Sequence, residues 1–368
     1  MKKRWVSLLC AALAVLLTAS CAVAQEVYVP AAEIAQMIKN GWHETYSAHG
    51  RTIEVDIAID FPAVQAVPVR KVRKAQPSPI QNPARWQVEG TYFLYEKTDG
   101  RMWPSNGWYQ ASVERGADQI DWDAPVTNEN RYTPRQAFDL FWPELAGTFS
   151  ADVLDSLTVT DVLAQGHLYA YNRKTKAFGE ALTDDSLYSF RFTQTFDSIP
   201  ILYAGQHALF TVSGGEARPP LCMLDALVVS PEHFSFSGSL VEAVSSVYED
   251  IPLASLDRVL SVYEELIHAG RLRKVQALRF GYLLCVDPEN PKEAYTVPIW
   301  VLDGVLFDSP TEEAPPMPPM PPTETMRDTN PYRSLIVYAQ SAEPLDVNST
   351  SPLRRIAPAL LSWADVSP

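Results

Sequence analysis

Apolar and polar residues alternate most regularly in "RTIEVDIAIDF", where Ile53, Val55, Ile57, Ile59 and Phe61 are interleaved with Glu54, Asp56, Ala58 and Asp60. A period of two places the five apolar side chains on one face of a strand and leaves the opposite face wet. The stretch before it, "PAAEIAQMIKNG", has a different period: Ile34, Met37 and Ile38 share one face of a short helix that Gly41 ends. "VQAVPVRKV" and "WQVEGTYFLYEK" extend the strand pattern. A second block opens with "YTPRQAFDLFWPELAG". Thr133 is placed to cap a helix, Pro134 suits its first position, Pro143 should kink it or end its regular part, and Gly147 follows its end. Strands are then predicted over "LTVTDVLAQGHLYAYN", "LYSFRFTQTF", "IPILYA", "HALFTV", "LCMLDALVV" and "HFSFSG". In the third block, Leu256, Val259, Leu260, Tyr263, Leu266 and Ile267 keep helical spacing behind Ser255 as a cap, and "VQALRFGYLLCVD", "AYTVPIWVLDG" and "SLIVYAQ" follow as strands.

Helix followed by antiparallel strands, three times over, predicts an α+β fold of tandem helix-plus-antiparallel-sheet units. The expected divisions are a leader over residues 1–24, units over 25–130, 131–250 and 251–345, and a C-terminal arm over 346–368. The proline-rich segment 309–323, "SPTEEAPPMPPMPPT", cannot pair in a sheet and reads as an extended spacer inside the third unit.

One strand is more particular. In "RFTQTFDSIPIL", Arg191, Phe192, Gln194, Phe196, Ile199 and Pro200 resemble the strand-turn-strand signature of the fungalysin/thermolysin propeptide and the related PepSY domains. Ser198 stands where those domains prefer glycine. The order of parts around it is similar to the YycH and YycI type of extracytoplasmic regulators. Segments such as "VDIAIDFP" and "VPIWVLDG" resemble an uncharacterised family of bacterial lipoproteins. These resemblances imply PepSY-like or YycI-like units and a regulatory role toward an envelope protein or peptide, such as a sensor kinase or a peptidase. Proline removes a ladder donor at the corner, so Asp197, Ile199 and Pro200 become a candidate edge for another chain.

The N-terminus reads as an export signal. Lys2, Lys3 and Arg4 precede an apolar run, "VSLLCAALAVLL", that is short for a membrane span. "LTASC" offers Cys21 as a lipid-modified residue, as in bacterial lipoprotein signals, while "AVAQ" offers ordinary cleavage after Ala24. The expected location is therefore extracytoplasmic, either anchored at the membrane or secreted. A net charge of −14 argues against nucleic acid as a partner. The local exception is "VRKVRK", where Arg70, Lys71, Arg73 and Lys74 could meet headgroups or anionic wall polymer, or simply form a solvated strand end. Outside the signal, Cys222 and Cys285 are left either to form a disulfide or to act as buried thiols.

Catalytic patterns are missing. After His43-Glu44, the place of the second histidine in H-E-x-x-H is taken by Ser47. Glu265 and His268 are only half of a carboxylate-bridged metal arrangement. Asp118, Asp121, Asp123 and Glu129 lack the glycine and closing glutamate of a calcium loop. No cofactor, metal or reaction is predicted. Aromatic residues carry more information, because Trp86, Trp103, Trp108, Trp122 and Trp142 fall within residues 86–142. Indole faces can stack on sugars or grip a peptide. The sequence thus implies a non-catalytic envelope protein that binds a protein or peptide, with a cell-wall glycan module as the alternative. Trp103, Trp108 and Tyr109 are its candidate groove.

Overall fold

A computed structural model describes residues 28–48, 50–78, 85–89, 92–100, 107–202, 223–269, 272–287, 290, 292–306 and 334–345. The leader with Cys21, Trp103, Cys222, the predicted strand "HALFTV", the proline-rich segment and the C-terminal arm lie outside these residues.

The chain starts with β1 (Tyr28–Val29), helix α1 (Ala31–Met37), the hairpin β2 (Trp42–Ala48) and β3 (Arg51–Ile57), then β4 (Ile59–Asp60) and β5 (Val69–Lys74). Next come β6 (Trp86–Glu89), β7 (Tyr92–Lys97), β8 (Gly107–Tyr109) and β9 (Ser112–Gly116). Helices α2 (Pro134–Ala146) and α3 (Ala151–Asp155) precede β10 (Leu157–Gln165), β11 (Leu168–Asn172), β12 (Ala177–Thr183), β13 (Leu187–Phe196) and β14 (Ile199–Pro200). β15 (Met223–Ser230), β16 (His233–Ser239), β17 (Val241–Tyr248) and β18 (Leu253–Ala254) lead to α4 (Leu256–His268). The long pair β19 (Leu272–Val286) and β20 (Glu293–Leu306) is followed by β21 (Ser334–Tyr338) and β22 (Pro344–Leu345).

Two large sheets dominate. The first has the order β6-β7-β16-β15-β13-β10-β9, with β14 folded back on β13. The second has the order β17-β5-β20-β19-β4, with β21 and β22 continuing from β20. A small sheet, β12-β11-β8, and the hairpin β2-β3 complete the set with the β1-β18 pair. This corrects the expected α+β tandem of helix-plus-sheet units: the described residues are mostly β, 52% strand against 19% helix, with several sheets and a half-barrel. Its sheets are not built block by block. β5 pairs with β17 and β20, β4 with β19, and β7 with β16. Alternation tells which face of a strand is dry but not which strand lies beside it or what covers that face.

Each sheet has its own core. In the first, α2 lays Ala137, Phe141 and Leu145 against Phe190, Phe192 and Phe236. Thr133 and Gln136 form a reciprocal capping box at its start, and the helix runs through Pro143 to Ala146, so that proline does not end it. In the second core, α4 buries Val259, Tyr263 and Ile267 among Phe280 and Trp300, and the Tyr263 hydroxyl donates to the Trp300 carbonyl at 2.9 Å. Ile53, Val55, Ile57 and Ile59 are buried there, and Glu54, Asp56 and Asp60 are exposed, as the alternation predicts.

The two cores meet at one amide. Gln194, 0% exposed near the end of β13, donates through Nε2 to the Val241 carbonyl at 2.8 Å and to Ser156 Oγ at 2.9 Å. Its Oε1 accepts from the Val241 N–H at 2.8 Å. Val241 is where the chain leaves the first sheet for the second, and the side chain takes the two bonds that a neighbouring strand would otherwise make. Gln194→Leu keeps the volume but strands both groups of Val241. The expected cost is about 3 kcal/mol, read as a lower urea midpoint. An unchanged midpoint would show that the joint does not depend on this amide.

Candidate binding surface

The proline corner is closed to a partner. Asp197 (φ 52°) and Ser198 (φ 66°) both take left-handed conformations, which turn β13 tightly into β14. Beyond the turn Ile199 is fully buried in the second core with Ile201 and Leu202. The Leu202 N–H donates to the Tyr282 carbonyl at 2.9 Å, and the Ile201 N–H to the Gln194 carbonyl at 2.8 Å. Pro200 pairs with Thr195. The corner approaches β19 closely because Gly281 has no Cβ: one built there would lie 2.5 Å from the Pro200 carbonyl oxygen and 2.4 Å from Leu202 Cγ. Of the candidate edge, Ile199 is buried and Pro200 is paired with Thr195, so these two form an internal joint between the sheets, while Asp197 stays exposed and bonded to Arg70.

The basic strand is likewise occupied. Arg70 Nη2 donates to Asp197 Oδ1 at 2.6 Å, and that carboxylate raises the guanidinium above its ordinary value. Lys71 lies 2.9 Å from Glu293 and 3.0 Å from Asp287, and the hydrogen bonds its ammonium donates to these two acids raise its pKa. Arg73 meets Glu242 at 2.6 Å. Lys74 is lowered by burial. Lys71 and Arg73 meet acids of or beside β5's own sheet and Arg70 meets the turn after β13, so these three charges are matched by acids.

The tryptophan-rich stretch divides. Trp86 packs on Tyr95 and Phe236, Trp122 on Phe190, and Trp142 on Phe138, all against the first core. Trp108 differs. It sits on β8 opposite Tyr169 of β11, and its ring lies 5.2 Å from that of Tyr171, which in turn lies 5.1 Å from Phe178 of β12. His167, Tyr169 and Tyr171 follow the two-residue period, so one face of the small sheet carries five rings. Trp108, Tyr169, Tyr171 and Phe178 are each only partly buried and belong to neither core. β12 is exposed at five of its seven positions. Tyr109 points to the other face, opposite Leu168, and burial pushes its hydroxyl up to about 12.

A carboxylate braces this face. Glu129 accepts from the His167 N–H at 2.7 Å and from the Tyr169 hydroxyl at 3.1 Å. Its approach depends on Gly166, where a Cβ would fall 2.1 Å from Glu129 Oε2. His167 Nδ1 and the Tyr171 hydroxyl are shielded from solvent and have no hydrogen-bond partner among the described residues. At the far end, Asn172 Oδ1 accepts from the N–H groups of Lys174 and Thr175 at 3.0 and 3.2 Å, which shapes an exposed turn bearing Arg173, Lys174 and Lys176. The sequence marks Trp108 as a candidate and places Tyr169 and Tyr171 in a strand, but does not bring His167, Phe178 or Glu129 to them. The signal was present in "HLYAYNRKTKAF", where aromatics alternate on both sides of a basic turn.

Other sequence-selected groups do not converge. Asp123 pairs with Arg135 at 2.8 Å while Glu129 faces the small sheet, so the acidic loop does not gather its ligands. Tyr46 donates to Glu264 at 3.0 Å and packs edge-on against His268, so Glu264, not Glu265, shares that cluster with the histidine. Cys285 is fully buried, and burial raises its thiol well above the usual range. Among the described residues no group of three or more His, Cys, Asp or Glu is arranged to hold a metal ion. Among them, too, no helix is long and apolar enough to cross a membrane.

No family model matches the chain, and no curated protein matches it at a significant level. Among solved structures, an uncharacterized protein from Eubacterium rectale is similar with a TM-score of 0.43 and 13% identity, over 80% of this chain and 90% of that one.

Two substitutions at the corner should act in opposite directions. Ser198→Gly relieves a left-handed side-chain residue and should stabilise by about 1 kcal/mol. Gly281→Ala forces the corner off β19 and should destabilise by about 2 kcal/mol or more. Chemical denaturation of both variants reads this, and equal midpoints would refute the docked corner. Tyr109 gives a pH test. Its value of about 12 lies above the ordinary 10.0, so the folded state holds the proton more tightly. The stability this contributes is complete below pH 10.0 and lost as pH rises through about 12. Tyr109→Phe should make alkaline destabilisation shallower across that window and remove one late-titrating phenol from the ultraviolet titration. A titration identical to that of the parent protein would contradict the burial of this hydroxyl.

Proposed function

We propose that the protein is an exported component of the bacterial cell envelope, held at the membrane through Cys21, that binds a glycan on the aromatic face of β8, β11 and β12 and acts by binding, without chemistry of its own. The observation that supports this reading is that Trp108, Tyr169, Tyr171 and Phe178 cluster outside both hydrophobic cores while remaining partly open to solvent. Core packing gives no reason to collect four rings there. Partly open aromatic faces suit the apolar faces of sugar rings. The leader sequence supports export, and Cys21 supports the anchor. A protein or peptide partner, the other reading of the sequence, loses its support at the proline corner, because Ile199 is buried and the Leu202 N–H is already bonded.

Trp108→Ala and Tyr171→Ala should each weaken retention on insoluble wall polysaccharide by about tenfold with folding unchanged. Affinity electrophoresis of the parent and variant proteins measures it. Retention unaffected by either change, or recovery of a stoichiometric protein partner that both variants still bind, would overturn the glycan reading. Cys21→Ala should move the protein from the membrane fraction to the soluble fraction, and a variant that stays with the membrane would refute the anchor.

A further inference from the structure

The turn between β11 and β12 gathers three exposed cations. The chain has a net charge of −14, and the basic run on β5 is held by Asp197, Asp287, Glu293 and Glu242. Arg173, Lys174 and Lys176, by contrast, are exposed within four residues of one another, and among the described residues none of the three makes an ion pair. The turn is also shaped in advance. Asn172 bonds two of its N–H groups, and Lys176 takes the left-handed conformation (φ 53°) that closes it. Tyr171 and Phe178 flank these residues in the chain, and Tyr171 touches Trp108. Cations therefore sit at the tip of a hairpin whose body presents rings.

A neutral glycan needs only the rings, and an anionic protein gains nothing from three unneutralised cations unless something negative comes to them. We infer that the hairpin selects an acidic polysaccharide, with carboxylate or phosphate groups on the polymer meeting Arg173, Lys174 and Lys176 while its sugar rings lie over Tyr171, Phe178 and Trp108. This rests on the glycan reading above and adds the ligand's charge to it. Lipid headgroups are a weaker fit, since the cations occupy the tip and would hold the aromatic rings back from the acyl region. The exposed guanidinium and ammonium groups act as screened point charges, so selectivity should fall as salt rises.

The test uses the full chain and pairs of polymers that differ in charge alone: polygalacturonate against its methyl ester, and phosphorylated dextran against dextran. Polyglutamate and phosphatidylglycerol vesicles serve as anions without sugar rings. Binding to the acidic member of a pair should be roughly tenfold tighter than to its neutral counterpart. The advantage should vanish in the triple variant R173Q/K174Q/K176Q and at high salt. Trp108→Ala should weaken both members alike. These substitutions lie on an exposed turn, and circular dichroism checks that the fold is intact. Equal affinity for acidic and neutral members, or a triple variant that keeps the preference, would overturn the inference and leave the glycan reading standing. Polyglutamate or vesicles bound as tightly as the acidic polysaccharides would overturn it in favour of charge alone or a membrane surface. Failure to bind any of the saccharides would remove both readings.

Discussion

The arrangement depends on satisfying the backbone where strands pass from one sheet to the other. Gln194 does this by giving its amide to the N–H and the carbonyl of Val241, in a place shielded from solvent. Several crossings gather at this point. The Ala75 N–H donates to the Leu240 carbonyl at 2.8 Å just past the ends of β5 and β16, and the turn after β13 carries Ile199 into the second core. Arg70 reaches from β5 to Asp197 at the tip of that turn. A buried amide with both of its ends bonded admits one register, because any slip would leave the same groups buried and unpaired.

Charge is distributed with the same economy. Asp287 is 4% exposed and is kept by Lys71 and the Tyr295 hydroxyl, which donates to it at 3.0 Å. A carboxylate removed from water needs such partners. The cations on β5 therefore serve the fold, whereas those on the β11-β12 turn have no described acid to serve. The difference between two basic runs of similar composition is thus one of surroundings. It decides which of them a ligand can meet.

The small sheet stands apart for a related reason. Its rings touch one another, and Glu129 ties its central strand down through His167 and Tyr169, but it adds nothing to either core. A face of this kind is stable enough to be held in shape and apolar enough to gain from being covered. The neighbouring turn supplies the charge that would choose what covers it.

Local interactions were legible in the sequence. Thr133 and Gln136 cap α2 three residues apart, Ser255 caps α4, and the alternation from Ile53 to Ile59 places those side chains in the core. Each depends on neighbours within a turn of helix or a pleat of strand, so residue type and spacing suffice. The partners of strands were not legible, and the α+β reading failed on them. Arg70 meets Asp197 across 127 positions, Tyr46 meets Glu264 across 218, and Gln194 finds Val241 across 47. No periodicity records which distant segment will bring the complementary group. The sequence groups Trp108 and Tyr109 in one candidate groove, but only the folded chain shows that they lie on a strand and face opposite sides, one toward the other rings and one beside Leu168. Sequence by itself determined which residues prefer to leave water. Tertiary structure decided which groups they meet there, because pairing is settled by geometry between segments and not by composition within them.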